Sequence, residues 1–240
     1  QVLAGTLLDN TIYGAISPLP GGFTYSPPLG TRLGVGTHAL TATFTPFDPD
    51  NYEVVTETRQ ITVTKLPQSI EWSVSAEVIL GDAPIVFKPV ASSGLPVAVS
   101  VVIGPGRIVD GNLQILGGGT VLLRAIQPGN ADYAAADPVS RSIEVRLRPR
   151  VSPGSGGKVT QEPSAEVLSN GQLISLTATP DDGYVFSGWQ GDFLALDNPL
   201  SLVVTNNVQL KAIFQRQQVI TWNLSKEVVL GEGPFPLEIS

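Results

Sequence analysis

Short runs of alternating apolar and polar residues recur along the chain and predict β-strands. Within residues 40–44, Leu, Ala and Phe fall on one face and two Thr residues on the other, as the period of two requires. Residues 174–178 and 208–214 alternate in the same way. The chain's 25 glycines and 20 prolines separate such runs, and no long amphipathic helical pattern stands out. The pattern predicts an all-β fold.

Two segments of the chain repeat each other at a distance of 222 − 72 = 150 residues. Without gaps, eight of the nineteen positions in residues 69–87 are identical in residues 219–237. The identical pairs include Trp72 and Trp222, Glu77 and Glu227, Gly81 and Gly231, and Pro84 and Pro234. Such repetition indicates tandem copies of one domain. We expect a complete copy at residues 66–146 and the start of another at residues 216–240.

Residues 1–65 carry the later part of the same domain. Residues 34–52 and 117–133 both run from glycines through a strand and a proline to a short polar turn that closes on tyrosine. We expect residues 1–65 to lack the first strands, which residues 216–240 hold without the rest. The two parts together would make a whole domain, so the chain would be cut out of register with its own domains.

These motifs resemble bacterial Ig-like repeats. The resemblance rests on Ile-x-Trp, Leu-Gly, the Phe-x-Tyr strand at Phe23 and Tyr25, Gly-x-Gly-Thr-His-x-Leu at residues 34–40, and Phe-Thr-Pro followed by Asn-Tyr. The middle copy departs from this pattern, with Asn-Ala-Asp-Tyr in its turn and no histidine after its glycines. The resemblance implies tandem Ig-like β-sandwiches in a large secreted or cell-surface bacterial protein.

Residues 147–215 show a different pattern. Gly-Tyr-x-Phe-x-Gly-Trp-x-Gly-Asp at residues 183–192 and an Ala-x-Phe ending at Phe214 are similar to the internalin-type B-repeat. That resemblance implies a small β-grasp-like module of bacterial surface proteins. The expected architecture is therefore Ig-like domains plus one B-repeat-like module, arranged as beads on a string.

Composition and charge disfavour several classes of function. A net charge of −7 disfavours a duplex-DNA binder, which needs a basic face. No apolar run approaches the ~20 residues that would span a bilayer, so we expect no membrane insertion within this segment. His38 is the single histidine and no Gly-x-Ser-x-Gly motif occurs, which removes His-based relays and the nucleophile elbow. We expect that the chain is not an enzyme.

An acidic turn and one tryptophan are candidate binding sites, for calcium and for a sugar respectively. Asp48, Asp50 and Asn51 could supply two or three of the six to eight oxygens that calcium takes, but Asp and Asn also bond their own backbone in tight turns. Trp189 could be an exposed platform that stacks on a sugar, but large aromatics more often fill small cores. In both cases the structural interpretation is favoured, and no cofactor is expected.

Three arginines lie close together in sequence at the junction around residues 146–150. The alternation of Arg146, Arg148 and Arg150 places three guanidinium groups on one side of an extended segment. They could form a solvated edge strand protected by charge, or a docking strip for an acidic neighbouring module or glycan.

The favoured function is a stalk, spacer or filament building block outside a bacterium. Its partners would be adjacent copies, joined head to tail in one polypeptide or by donor-strand exchange. The residues expected to complete the next unit are Val219, Ile220, Trp222, Val228 and Leu230. The alternatives are an adhesin module that binds a host or environmental glycan or protein, and an accessory module of an enzyme.

Overall fold

The structure is a computed structural model and describes residues 1–220. Strands account for 52% of the residues and helix for 2%, which confirms the all-β prediction. Residue contacts divide the chain into two units. The first unit comprises Gln1–Pro149, Glu166–Gln172 and Val204–Asn207, and the second comprises Arg150–Ala165, Leu173–Val203 and residues 208–220. No helix in the described part has the length and apolar character of a bilayer-crossing segment.

The N-terminal part of the first unit is a single four-stranded sheet with one short helix. Its elements are β1 (Val2–Leu3), α1 (Asn10–Tyr13), β2 (Gly21–Ser26), β3 (Gly36–Pro46) and β4 (Val55–Thr64). The strand order is β1-β4-β3-β2, with β1 parallel to β4 and the other pairs antiparallel. Asp9 caps the start of the helix, where its side chain accepts from the Ile12 N–H, and Gly14 caps its end in the left-handed region.

Residues 66–149 form a fuller copy, in which two sheets and a short ladder share one core. Its strands are β5 (Ile70–Glu71), β6 (Glu77–Ile79), β7 (Ile85–Val86), β8 (Val90–Ala91), β9 (Ala98–Ile103), β10 (Gly106–Val109), β11 (Asn112–Ile115), β12 (Gly119–Ile126) and β13 (Val139–Arg146). They are ordered β6-β13-β12-β9, β10-β11-β7 and β5-β8. Buried Leu123 and Ile143 from one sheet and Leu113 from the other lie in the core with Trp72.

The second unit contains two three-stranded sheets. Its strands are β14 (Arg150–Pro153), β15 (Gly157–Glu162), β16 (Gln172–Pro180), β17 (Tyr184–Gly191), β18 (Leu200–Val204) and β19 (Gln209–Arg216), ordered β14-β19-β17 and β15-β16-β18. Trp189 is 1% exposed and meets Phe186 edge-on at 5.5 Å between ring centroids. Its indole N–H donates to the Asp197 carbonyl at 3.0 Å. The preference for a core tryptophan over an exposed platform is therefore confirmed.

Two stretches of the expected 147–215 module lie in the first unit instead. Leu147 and Leu168, both buried, exchange backbone hydrogen bonds of 2.8 Å in each direction. The Asn207 side chain donates to the Leu80 carbonyl at 2.8 Å and accepts from the Arg148 N–H at 2.7 Å. These contacts tie both stretches to the end of β6 and to the chain that follows β13.

Replacing Asn207 by alanine should lower the stability of the first unit by about 1–3 kcal/mol, because it leaves a carbonyl and an N–H without their partner. Chemical denaturation of the purified chain measures the loss. Asn206→Ala is the matched control, since Asn206 is exposed and its side chain only accepts the N–H of the next residue at 2.9 Å. Equal losses in the two variants would contradict the role assigned to Asn207.

Candidate functional site: an open groove in the N-terminal sheet

Strands β1 and β6 are the same element in two copies of one fold. Each runs parallel to the last strand of its sheet, β4 or β13. Each is followed by a glycine with positive φ, 88° at Gly5 and 93° at Gly81. The N–H before that glycine, from Ala4 or Leu80, donates to the final strand at 2.8 Å in both copies. Residues 2–5 thus hold the position that residues 78–81 hold in the fuller copy.

This equivalence leaves β5 as the strand within residues 69–81 that has no counterpart in the N-terminal copy, which also lacks the hairpin of β10 and β11. Val228 and Leu230 correspond in sequence to Val78 and Leu80, whose place residues 2–4 already fill. The strand expected to complete a neighbouring unit is thereby narrowed to residues before 227. Trp222, Val228 and Leu230 lie outside the described residues.

In the fuller copy, β5 closes one side of the core. Ile70 pairs with Ala91 of β8, and the Trp72 side chain is 6% exposed and meets Phe87 at 5.8 Å with the rings 65° apart. The guanidinium of Arg141 donates to the Trp72 carbonyl through Nε at 3.2 Å and Nη2 at 3.0 Å. The short segment of residues 70–72 therefore contributes an aromatic core residue and the acceptor for an arginine.

The N-terminal sheet has an open groove of about 670 Å³ on the corresponding face. Its apolar lining includes Tyr13, Phe23, Leu40, Ala42, Phe44 and Ile61. Leu40 and Ala42 occupy the register positions of Leu123 and Ala125, which are fully buried in the fuller copy. The groove therefore lies on the face that, in the fuller copy, carries the core containing Trp72.

Aromatic contacts shape one wall of this groove. The rings of Tyr13 and Tyr25 lie 4.4 Å apart, and those of Phe23 and Phe44 lie 5.1 Å apart. The Tyr13 hydroxyl donates to the Pro27 carbonyl. Burial, followed by the neighbouring Tyr25, raises the pKa of Tyr13 above its ordinary value, so Tyr13 is a neutral donor at neutral pH.

The groove also has a backbone edge at Ala15 and Ile16. The Ser17 hydroxyl accepts from the Leu19 N–H at 3.1 Å, as the Ser93 hydroxyl accepts from Leu95 at 3.3 Å in the fuller copy. This shared turn makes residues 14–16 the counterpart of residues 90–92, to which β5 pairs. Within residues 1–220, Ala15 and Ile16 make no backbone hydrogen bond, and Ile16 is 92% exposed.

Arg59 completes the correspondence. It lies opposite Leu40 in the ladder of β3 and β4, as Arg141 lies opposite Leu123 in the ladder of β12 and β13. Arg59 lines the groove, is exposed, and forms no ion pair or hydrogen bond with any residue of the described range. The groove therefore combines an apolar floor, an unpaired strand edge and an available guanidinium.

The other candidate residues occupy ordinary surface positions. The Asn51 amide donates to the Asp48 carboxylate at 2.9 Å, and Asp50 is exposed in the same turn. His38 Nε2 lies 2.7 Å from the Gly34 carbonyl. Residues 1–220 contain no cluster of three or more His, Asp or Glu side chains able to hold a metal ion. The bonds around Asp48 are those of an acidic turn.

Of the three arginines predicted to form a docking strip, Arg146 and Arg148 lie in the first unit and Arg150 lies in the second. Arg146 pairs with Glu77 and donates to the Ser169 hydroxyl, and Arg148 Nε lies 3.2 Å from Glu166. Arg150 is exposed at the start of β14. The carboxylates of both pairs are largely exposed. An exposed ion pair contributes only about 0–1 kcal/mol to folding stability. Whether these arginines dock a neighbour stays a prediction.

Comparison with known families concerns the C-terminal part of the described chain. No curated protein matches the chain. Residues 149–218 match the family model of the divergent InlB B-repeat domain, which confirms the B-repeat resemblance found in the sequence. The chain thus contains a module that is similar to a repeat of bacterial surface proteins.

Proposed function

We propose that the chain is a non-catalytic repeat unit of a large bacterial extracellular or cell-surface protein. In that role it acts as a stalk, spacer or filament building block, and Ig-like copies flank the B-repeat-like module. The supporting observation is that residues 149–218 match the B-repeat model while two related folds occur within residues 1–149. Repeats of this kind add stability through each unit and its neighbours, which suits an extended array.

Head-to-tail completion is part of this proposal. Its support is the open groove of the N-terminal copy and the second Ile-x-Trp segment at residues 220–222. A contact between unlike surfaces of successive copies propagates into a filament unless its rotation closes a ring. The copies could belong to one polypeptide or to separate subunits. No cofactor, nucleic acid or membrane insertion is part of the proposal.

The alternative function is an adhesin module. The groove supports it, since its volume of about 670 Å³ lies within the range of small-molecule sites. Such a module would bind a host or environmental glycan or protein through the groove or through the arginines near residue 150.

Two measurements separate the stalk from the adhesin. In single-molecule stretching of the chain between reference domains, a stalk should unfold in discrete force peaks, because packed sheets resist extension cooperatively. On arrays of glycans and matrix proteins, the same chain should show no saturable binding. A smooth extension without peaks contradicts the stalk, and a specific saturable ligand establishes the adhesin instead.

A further inference from the structure

We propose that the groove of residues 1–64 is a docking site for one extended segment, residues 219–224 of a second copy of this chain, with Trp222 in the groove. This inference rests on the proposed head-to-tail function and specifies its site, register and contacts. The second copy can belong to the same polypeptide or to another one, because the chemistry of pairing is the same.

The chain itself indicates which segment the groove accepts. Residues 219–224 are the counterpart of residues 69–74, with Ile220 and Trp222 at the positions of Ile70 and Trp72. In the fuller copy that segment lies against β8 and buries its tryptophan. The N-terminal copy presents the same floor, the same edge and the same arginine around an open volume, so a segment of this sequence has a complementary site there.

The equivalence fixes a register for the docked strand. Because Ile70 lies opposite Ala91, Ile220 lies opposite Ala15. The Ile16 N–H then donates to the Val219 carbonyl, as the Ser92 N–H donates to the Ser69 carbonyl at 2.9 Å. Main-chain pairing of this kind is how sheet edges bind extended segments.

Two side-chain contacts complete the site. The Arg59 guanidinium donates to the Trp222 carbonyl, as Arg141 does to that of Trp72. The Trp222 ring packs on Leu40 and Ala42, at the positions of Leu123 and Ala125. Docking also removes apolar surface from water, since Ile16, Val219 and Ile220 are 92%, 80% and 79% exposed in the structure.

Residues beyond 226 take no part in this docking. Residues 227–240 and residues 1–14 are both counterparts of residues 77–90, because β1 is equivalent to β6. The groove-bearing copy already holds its own version of that stretch. The donor is therefore the six-residue segment that contains Ile-x-Trp.

The test uses the whole chain carrying Trp222→Ala, which removes the anchor of its own segment. A peptide with the sequence of residues 217–226 is titrated into it, and binding is followed by calorimetry. We expect saturable binding of one peptide per chain. The same peptide with alanine in place of Trp222 should bind at least about tenfold more weakly, because an aromatic anchor in a pocket dominates such interfaces.

Variants of the chain locate the bound peptide. Adding Arg59→Ala should weaken binding about tenfold through the lost charged hydrogen bond. Arg124 is an exposed arginine on β12 of the fuller copy, so Arg124→Ala should leave the affinity for the peptide unchanged. Ala42→Trp, which fills the groove, should abolish binding, and circular dichroism checks that each variant retains its β-sheet signal.

The remaining outcomes overturn the proposal. Absence of saturable binding to a folded chain removes the site, and binding that survives both Arg59→Ala and Ala42→Trp places the peptide elsewhere. Sedimentation should show concentration-dependent association of the wild-type chain that Trp222→Ala abolishes. In a further outcome, the wild-type chain stays monomeric and does not bind the peptide, whereas the Trp222→Ala variant binds it. The groove would then be filled by the chain's own segment, and docking of a second copy would be excluded. None of these failures touches the surface-module function, which the stretching and array experiments test.

Discussion

Replacing Trp189 by alanine should lower the free energy of unfolding of the second unit by about 3–5 kcal/mol. The indole is 1% exposed, packs edge-on against Phe186 and donates to the Asp197 carbonyl. Alanine would leave a cavity at this buried site and an unpaired carbonyl. Denaturant titration followed by hydrogen exchange of residues 172–216 measures the loss in this unit.

Trp189→Phe is the matched control for this substitution. It keeps an aromatic ring next to Phe186 and loses only the N–H donor and part of the volume, so the loss should be clearly smaller. If the alanine and phenylalanine variants lose the same stability, the hydrogen bond to Asp197 and not the packing dominates. A change below about 1 kcal/mol for alanine would contradict the burial of the indole.

Replacing Trp72 by alanine should destabilise residues 66–149 by a similar amount, about 3–5 kcal/mol. Trp72 is 6% exposed, and its contact with Phe87 links β5 to the shared core. Its indole N–H has no hydrogen-bond partner among the described residues. Trp72→Phe should therefore cost much less than alanine, since no hydrogen bond is lost.

Hydrogen exchange distinguishes the effect of Trp72→Ala from that of Trp189→Ala. Protection should fall along β12 and β13 in Trp72→Ala and stay unchanged along β17 and β19. Glu71→Ala, at the exposed neighbouring position of β5, should change stability by less than about 0.5 kcal/mol. Unchanged protection of β12 and β13 in Trp72→Ala would contradict the role of β5 in closing the core.

The strands with regular alternation were predictable from the sequence, and the shorter elements were not. Residues 40–44 lie in β3 and residues 208–214 lead into and along β19, because one face of each strand is buried. Strand β1 has two residues, too few to show a period. Its identity depends on pairing with β4, which is a long-range contact. The similarity of residues 2–5 to residues 78–81 was the available signal.

The groove could be predicted only once β1 was known to be present in residues 1–65. The sequence pattern alone indicates that several strands are missing from residues 1–65, and so it assigns to their completion a longer segment than the proposed docking uses. Arg59 cannot be identified from the sequence alone, because an exposed arginine on a strand has no distinguishing pattern. Its role emerges only from the register that places it at the position of Arg141.

The parallel pairing of β1 with β4 affects how this part of the chain folds during synthesis. Val2 pairs with Val63, so β1, which precedes the other strands of this sheet in the chain, waits for the last of them. The antiparallel neighbours β2, β3 and β4 can pair as each emerges, because their contacts are local, whereas long-range pairing is slow. We expect β1 to join last, so the nascent sheet has an open edge until residue 63 has been synthesised.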